Sequence, residues 1–567
     1  MKIALSLVLP VILTGCVTVT DTPNPSRGEV LGALSKATAF FVDEVASSGG
    51  YQAAYSPDLQ FARSSKGAHG RQQISATPSA TPTVGLALLD AWEASGDLYY
   101  LDSARTAGKA LLLGQLCSGG WDYTTFLEPE KRKKYDYRAD GCPEGPAGER
   151  IGYTNLDNNN TTAALRFLMR LDRELEFRDP AIHEGVQYAF AQLLRAQYPN
   201  GAWPQRYSSF VRPEDYPVKR AGLPDGWSHT WPGYIFYGYY TFNDDCIANM
   251  IDVLFEAARI YKNPKYLAAA EKGGEFILLA QLPEPQPSWA QQYNAEMHPA
   301  WARPYEPPAV CSREAVTVMR TLLLLYRETG KKRYLEPIPK AVAYLKASSW
   351  IRESDGKRVM ARFYEMGTNK PLYFTKGDRI SSPPLRALME RNLKAHGLDR
   401  RAMKMWRGAP NGYEVTYSDK SVVGHYSFVI GAESLDDIQA EYERYLQADP
   451  VTLRRPDRLD GITAVAGRRE RSKSQDELAP AVREAIDALD ERGAWVGRGG
   501  NPGGPAQVVS IRPASEMVVV VGDQVIPLPE TETLEVYRGS APPKNLSISS
   551  GHFAQRVRVL ADYLRAK

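Results

Sequence analysis

One recurring turn punctuates the chain, and its spacing limits the folds open to it. Gly49-Gly50-Tyr51, Gly119-Gly120-Trp121-Asp122-Tyr123, Asn200-Gly201-Ala202-Trp203-Pro204-Gln205-Arg206-Tyr207 and Gly493-Ala494-Trp495 each follow a stretch of helical spacing. Pro287-Ser288-Trp289-Ala290-Gln291-Gln292-Tyr293 is a variant, and Asp355-Gly356-Lys357 stands at the equivalent place in a fourth unit. Between turns each unit reads as helix, short break, helix. The breaks contain Gly96-Asp97, Asp179-Pro180, Asn263-Pro264 and Gly330-Lys331, which are helix stop and start signals. They set helical hairpins at about 83–116, 161–197, 245–281 and 314–349, with single helices near 28–47 and 476–492.

Two-helix units of this size either stack as a solenoid or close into an α/α toroid. The loops between units are too long for a tight array. They are also rich in aromatic and charged residues, as functional loops tend to be. The expected fold is mainly α: an α/α toroid, an incomplete barrel of helical hairpins, with small β excursions in the C-terminal third. The catalytic core is expected over residues 28–376, followed by an insertion and loops with short strands over 377–475. Closing helices follow over 476–567, with a hairpin excursion near Val508–Val536 and a last helix at about 551–566. Gly377 to Asn411 is basic and irregular, Tyr413 to Phe428 alternates like a strand, and Leu453 to Lys473 is Arg-rich.

In such a toroid, every loop from an outer helix to the next inner helix opens at the same end. Three such loops carry chemistry. Asn155-Leu156-Asp157-Asn158-Asn159-Asn160-Thr161-Thr162 precedes an apolar helix, and Tyr240-Thr241-Phe242-Asn243-Asp244-Asp245 precedes another. Asp and Asn are good helix N-caps, so one acid of the Asp244-Asp245 pair is expected to cap and the other to face open space. Two oxygen-rich clusters at two helix starts point to one cation site at one mouth. The Trp301-Ala302-Arg303 segment lies in the third loop.

The 567 residues carry a net charge of +3 with no long basic block, which argues against a nucleic-acid partner. Lys2, an apolar run from Ile3 to Leu13 and then Leu13-Thr14-Gly15-Cys16 read as a signal peptide over 1–15, with a lipobox-like site. This predicts an exported monomer anchored by a lipid on Cys16 in a bacterial envelope, periplasmic or at the outer membrane. Residues 16–27 form a tether, and no other contact with the membrane is expected. In an exported chain cysteines can pair, and Cys117 and Cys142, which flank one loop, are the expected pair.

Five ordered motifs carry a resemblance. They are Thr154-Asn155-Leu156-Asp157-Asn158, Tyr198 to Gln205, Thr241 to Asp245, Ala300-Trp301-Ala302-Arg303, and Ala361-Arg362-Phe363-Tyr364-Glu365 with Thr368-Asn369-Lys370-Pro371. Together they resemble the family-ten polysaccharide lyases, the α/α-toroid pectate lyases, over roughly residues 75–376. The resemblance implies calcium-assisted β-elimination on polygalacturonate or a related polyuronate, giving 4,5-unsaturated products. It implies Asp157, Asn243, Asp244 and Asp245 as metal ligands, with Asp244 and Asp245 both open as the second acid. It implies Arg303 as the Brønsted base and Asn158 and Arg362 as substrate contacts. Lys376 stands where the family often has another arginine; it keeps the charge and loses the bidentate fork. Trp227, Trp231 and the Tyr234–Tyr240 run, just before the acidic cluster, are candidate sugar contacts.

The chemistry suits these residue types. The proton at C5 is weakly acidic because the neighbouring carboxylate is already anionic. A divalent cation and guanidinium groups neutralise that carboxylate so charge can move onto it. An arginine base is expected to sit in a crowded cationic site, because guanidinium is otherwise always protonated. Two rival readings are a glycoside hydrolase using Asp157 and Asp244 as its acid pair, and a non-catalytic uronate-binding surface lipoprotein. Trp203, Trp289 and Trp495 are expected to be packing anchors. His229 and His425 are given no role.

Overall fold

The computed structural model describes residues 23–64, 67–142, 152–210, 212–229, 231, 236–376, 413–419, 428–454, 473–498, 518–521, 524–527 and 546–566. The leader with Cys16, the Gly377–Asn411 insertion, nearly all of Leu453–Lys473, His425 and the Lys376 side chain lie outside them.

The four hairpins stand where helical spacing sets them. They pair α2 (Thr81–Ser95) with α3 (Leu98–Leu112), α4 (Asn160–Glu174) with α5 (Pro180–Arg195), α6 (Cys246–Tyr261) with α7 (Pro264–Ala280), and α8 (Ser312–Thr329) with α9 (Ile338–Ala347). Before them comes α1 (Arg27–Phe40); after them come α10 (Glu433–Gln447), α11 (Gln475–Asp487) and α12 (Ser550–Arg565). The inner ring runs α12–α2–α4–α6–α8, each helix packed on the next. The others lie outside it, with α10 covering α8 and α9. The fold is thus an incomplete α/α toroid. Helix α10 is the element that the strand-and-loop expectation for 377–475 leaves out. Its apolar positions Leu435, Ile438 and Tyr445 are buried against that outer face.

Inner and outer helices differ as their positions demand. In α6, thirteen of sixteen residues are buried, against six of sixteen in α5. An inner helix meets protein all round, whereas an outer one needs only an apolar stripe. Buried charges inside the ring are paired. Arg166 of α4 meets Asp252 of α6 at 2.7 Å, and Arg170 meets Asp90 of α2 at 2.8 Å. Three outer helices start on side-chain caps: Asp97 accepts from Tyr99 N–H, Asp179 from Ala181 and Ile182, and Asn263 from Lys265. Such caps satisfy free first-turn donors.

The recurring turn is a lock. The indoles of Trp121, Trp203 and Trp495, at most 2% exposed, donate Nε1–H to the carbonyls of Leu111, Leu193 and Ala485 at 2.8–2.9 Å. Trp289 does the same to Ile277 at 2.9 Å. These tryptophans are packing anchors. Gly201 has φ +100°, and a Cβ there would lie 1.9 Å from the Lys272 carbonyl oxygen, so the turn admits only glycine.

A short strand before each inner helix pairs antiparallel with one after the next turn. Thr154–Asn155 meets Arg206–Tyr207, Tyr240–Thr241 meets Gln292–Tyr293, and Ala309–Cys311 meets Phe363–Glu365. The strand-like segment after 413 pairs Tyr413–Thr416 with Tyr373–Lys376, and Val518–Val521 forms a hairpin with Gln524–Pro527. Cys117 and Cys142 form a disulfide with Cα atoms 5.7 Å apart, while Cys246 and Cys311 are free and buried. No helix among the described residues is long and apolar enough to cross a membrane.

Candidate active site

Two turns with the same backbone build the site. In Leu156-Asp157-Asn158-Asn159, Asn158 and Asn159 have φ of 53° and 57°; in Phe242-Asn243-Asp244-Asp245, Asp244 and Asp245 have φ of 50° and 60°. Two successive left-handed residues cost on the order of 1 kcal/mol each, least for Asn and Asp. Here the expectation of an acid cap is corrected. Neither Asn159 nor Asp245 caps its helix through the side chain, because the left-handed backbone turns it away from the first-turn N–H groups. The two turns pack against each other, which brings Asp157 to Asp244.

Asp157 is buried and heavily solvated by protein. Its Oδ2 accepts from Tyr123 Oη at 2.9 Å and Arg206 Nη2 at 2.7 Å, and its Oδ1 accepts from Gln205 Nε2 at 3.2 Å. Strand register supplies Arg206, since Asn155 pairs with Arg206 two residues before Asp157. Asn158 is exposed on one side and donates to Tyr123 Oη at 3.1 Å. Asp244 accepts from Asn243 Nδ2 at 3.2 Å and shares a hydrogen bond with Asp157. Burial, then the hydrogen bond and charge of Asp157, push Asp244 up to about 8. Burial works against ionised Asp157, but the Asp244 hydrogen bond and the Arg206 and Arg303 charges outweigh it and hold Asp157 below the usual carboxylate range.

Arg303 bridges this pair. Its Nη2 lies 3.7 Å from Asp157 Oδ2 and 4.0 Å from Asp244 Oδ2, and its Nη1 lies 3.4 Å from Glu306 Oε1. Two indoles clamp the segment: Trp231 Nε1 donates to the Ala302 carbonyl at 2.7 Å, and Trp301 Nε1 to the Ser228 carbonyl at 2.8 Å. Arg303 stands near the Asp157, Asp244 and Glu306 carboxyls and shares Asp157 Oδ2 with a second guanidinium, that of Arg206. The expectation for Trp231 is corrected. It is 6% exposed and packed with Phe363 and Phe374, so it offers little face to a sugar and instead positions Ala302.

The other candidates divide. Burial raises the Asp245 carboxyl, which lies near Arg313, Thr317 and Arg320 of α8. Arg362 is buried, with Nη2 3.3 Å from Glu314 Oε1. Lys376 ends the strand paired with Tyr413. Sequence reasoning missed Tyr123, Gln205, Arg206 and Glu306. The available signal was the recurring turn, where Tyr123 and Gln205 hold the same offset from their tryptophans.

A hard cation fits this donor set in part. The turns carrying Asp157 and Asp244 pack together, so two carboxyls face each other. The Asn243 Oδ1 is buried without a hydrogen-bond partner. Among the described residues no group of three or more His, Cys, Asp or Glu is disposed to hold a metal. Calcium takes roughly 6–8 oxygens, so substrate and water must supply most of them.

Residues 130–409 match the family model described as pectic acid lyase. The chain is similar to that family over just under half of its length. The matched segment contains Asp157, Asp244, Arg303, Arg362 and Lys376, and the chain is a polysaccharide lyase. Among solved structures, a mutant family 10 polysaccharide lyase from Cellvibrio cellulosa in complex with trigalacturonic acid is 22% identical. The match covers 50% of this chain and 86% of that one, with a TM-score of 0.33. A D-mannose isomerase is 14% identical over 75% of this chain and 98% of its own, with a TM-score of 0.35. An α-1,6-mannanase of Salegentibacter is 12% identical over 74% and 99%, with a TM-score of 0.32. No curated protein matches the sequence.

Proposed function

We propose that the chain cleaves polygalacturonate or a closely related polyuronate by calcium-assisted β-elimination, leaving 4,5-unsaturated ends. The observation that carries this reading is Arg303 reaching both Asp157 and Asp244 from within the pectic acid lyase segment. Asp157, Asp244 and the Asn243 amide oxygen are the protein groups that would hold calcium, and Asp245 is left out of that set. When bound, the ion supplies the positive charge that neutralises the substrate carboxylate. Asn158 is open to substrate beside it.

Arg303 is assigned the C5 proton. Its carboxylate neighbours oppose that role in the free protein, so competence depends on compensating their charge. A bound cation and alkaline pH act in that direction, whereas ionising Asp244, 4.0 Å from Arg303 Nη2, acts against it until a cation offsets its charge. The hydrolase reading is weakened by the acid pair. Hydrolases keep their carboxyls about 5–5.5 Å or about 6.5–9.5 Å apart to leave room for a sugar or a water, whereas the turns carrying Asp157 and Asp244 pack directly against each other.

The test is ultraviolet absorbance with polygalacturonate at alkaline pH, with calcium and then with chelator. A signal from unsaturated uronate, lost with chelator and lost in Arg303→Ala, supports the reading. New reducing ends without absorbance overturn it. Leu13-Thr14-Gly15-Cys16 supports export and a lipid on Cys16. Fatty-acid labelling that survives Cys16→Ser overturns that assignment.

A further inference from the structure

Beside the Arg303 segment lies a second constellation. Glu365 is 5% exposed, yet its carboxylate serves exposed side chains. Its Oε1 accepts from Tyr417 Oη at 2.8 Å and lies 3.3 Å from His229 Nε2, and its Oε2 accepts from Thr368. The rings are arrayed as a surface. Trp227 and His229 have centroids 4.4 Å apart, and His229 and Tyr417 are edge-on at 6.5 Å. Tyr417 is 48% exposed, and Lys370 holds its ammonium 5.1 Å over that ring. The Trp301 indole, whose N–H holds Ser228, lies 6.2 Å from the Trp227 ring. The patch is therefore fixed to the same clamp that holds Arg303.

A buried carboxylate is costly unless it is paired. Here it orients two half-exposed rings that core packing does not require. Flat apolar faces next to an ammonium suit a pyranose ring bearing a carboxylate: the aromatic faces cover its C–H groups, and Lys370 meets its charge. We propose that Trp227, His229, Tyr417 and Lys370 form an additional uronate-binding subsite flanking Arg303, with Glu365 as the residue that positions it. The proposal rests on the polyuronate reading above. The subsite takes a sugar beyond those that flank the bond being cut, so it acts on long chains and leaves short ones alone.

The experiment is calorimetric titration of galacturonate oligomers into the full chain carrying Arg303→Ala, which keeps the ligand intact. A trimer and a long oligomer are compared in that background, alone and with Tyr417→Ala or Lys370→Ala. Both added substitutions are at exposed side chains, and Glu365→Gln serves as a third probe of positioning. The expected result is a loss of affinity of about fivefold for the long oligomer and no change for the trimer. In active protein the same substitutions raise KM for polymer by a similar factor and leave kcat in place. Equal affinity with and without Tyr417→Ala and Lys370→Ala at every length overturns the subsite while leaving the lyase reading standing. Folded protein that binds no galacturonate oligomer and gives no unsaturated product overturns the functional reading, and the subsite with it.

Discussion

Arg206→Met keeps the side-chain length and removes the charge that meets Asp157. The Arg206 and Asp157 side chains are only 8% and 2% exposed, so water does not screen the 2.7 Å contact. Removing one partner of a buried pair typically costs about 3–5 kcal/mol. Asp157 keeps its bonds from Tyr123 and Gln205 and has Arg303 at 3.7 Å, which favours the lower end, about 3 kcal/mol. In a chain of this length that corresponds to a fall in Tm of about 2–3 °C. The pH dependence has a definite sign. In the native protein Asp157 sits below the usual carboxylate range, so its contribution is present above the unfolded value of about 3.9 and is lost as pH falls through the folded value. Without Arg206, burial dominates and the carboxyl moves up, so its ionisation then costs stability as pH rises. The gap between native protein and variant is therefore wider at about pH 8 than at about pH 5. Scanning calorimetry at both pH values measures it. Because Arg206 is too buried to touch substrate, the expected kinetic effect is on kcat, tenfold or more, with little change in KM. An equal Tm loss at both pH values, or a loss under about 1 °C at the higher one, refutes the reasoning.

Asp244→Asn imitates the protonated acid. It is expected to leave Tm near neutral pH almost unchanged while lowering kcat/KM by about a hundredfold or more, read in the absorbance assay. A large loss of stability with activity kept would reverse that account. Trp203→Phe keeps the ring and strands the buried Leu193 carbonyl. Urea denaturation is expected to report about 1–3 kcal/mol lost, with catalysis retained once folded. Glu29 is held down to about 2, chiefly by the Ser26 backbone N–H of its capping box, then by the Ser26 side chain and Arg483. Its contribution is present above the unfolded value of about 4.5 and is lost as pH falls toward about 2, so Glu29→Gln is expected to flatten the stability–pH curve in that window. A curve that keeps the native slope refutes the assignment.

The sequence by itself determined the elements that local rules govern. Helical hairpins were legible because their caps, Asp97, Asp179 and Asn263, and their stops, Gly96 and Gly330, sit within a few residues of the backbone groups they satisfy. The tryptophan turns were legible because the same residues recur at one offset from a helix end. Even the pairing of the Cys117 and Cys142 thiols spans only one loop. The tertiary structure alone decided what the motif residues face. The Asp157–Arg206 contact joins residues 49 positions apart through a two-residue strand pairing, and no periodicity reports it. The left-handed turns chose which oxygens meet: they put Asp244 against Asp157 and sent its neighbour Asp245 toward α8. Nothing in a string of Asn and Asp residues distinguishes those outcomes. Trp231 and Trp227 look alike in sequence, yet packing buried one against Ala302 and left the other half open beside His229. Helix α10 lay hidden because its three apolar contacts are few along the chain and gain meaning only against the outer face of α8 and α9. Local structure follows from neighbours in sequence, whereas charge environment and exposure follow from neighbours in space, and the chemistry of this site depends on the second.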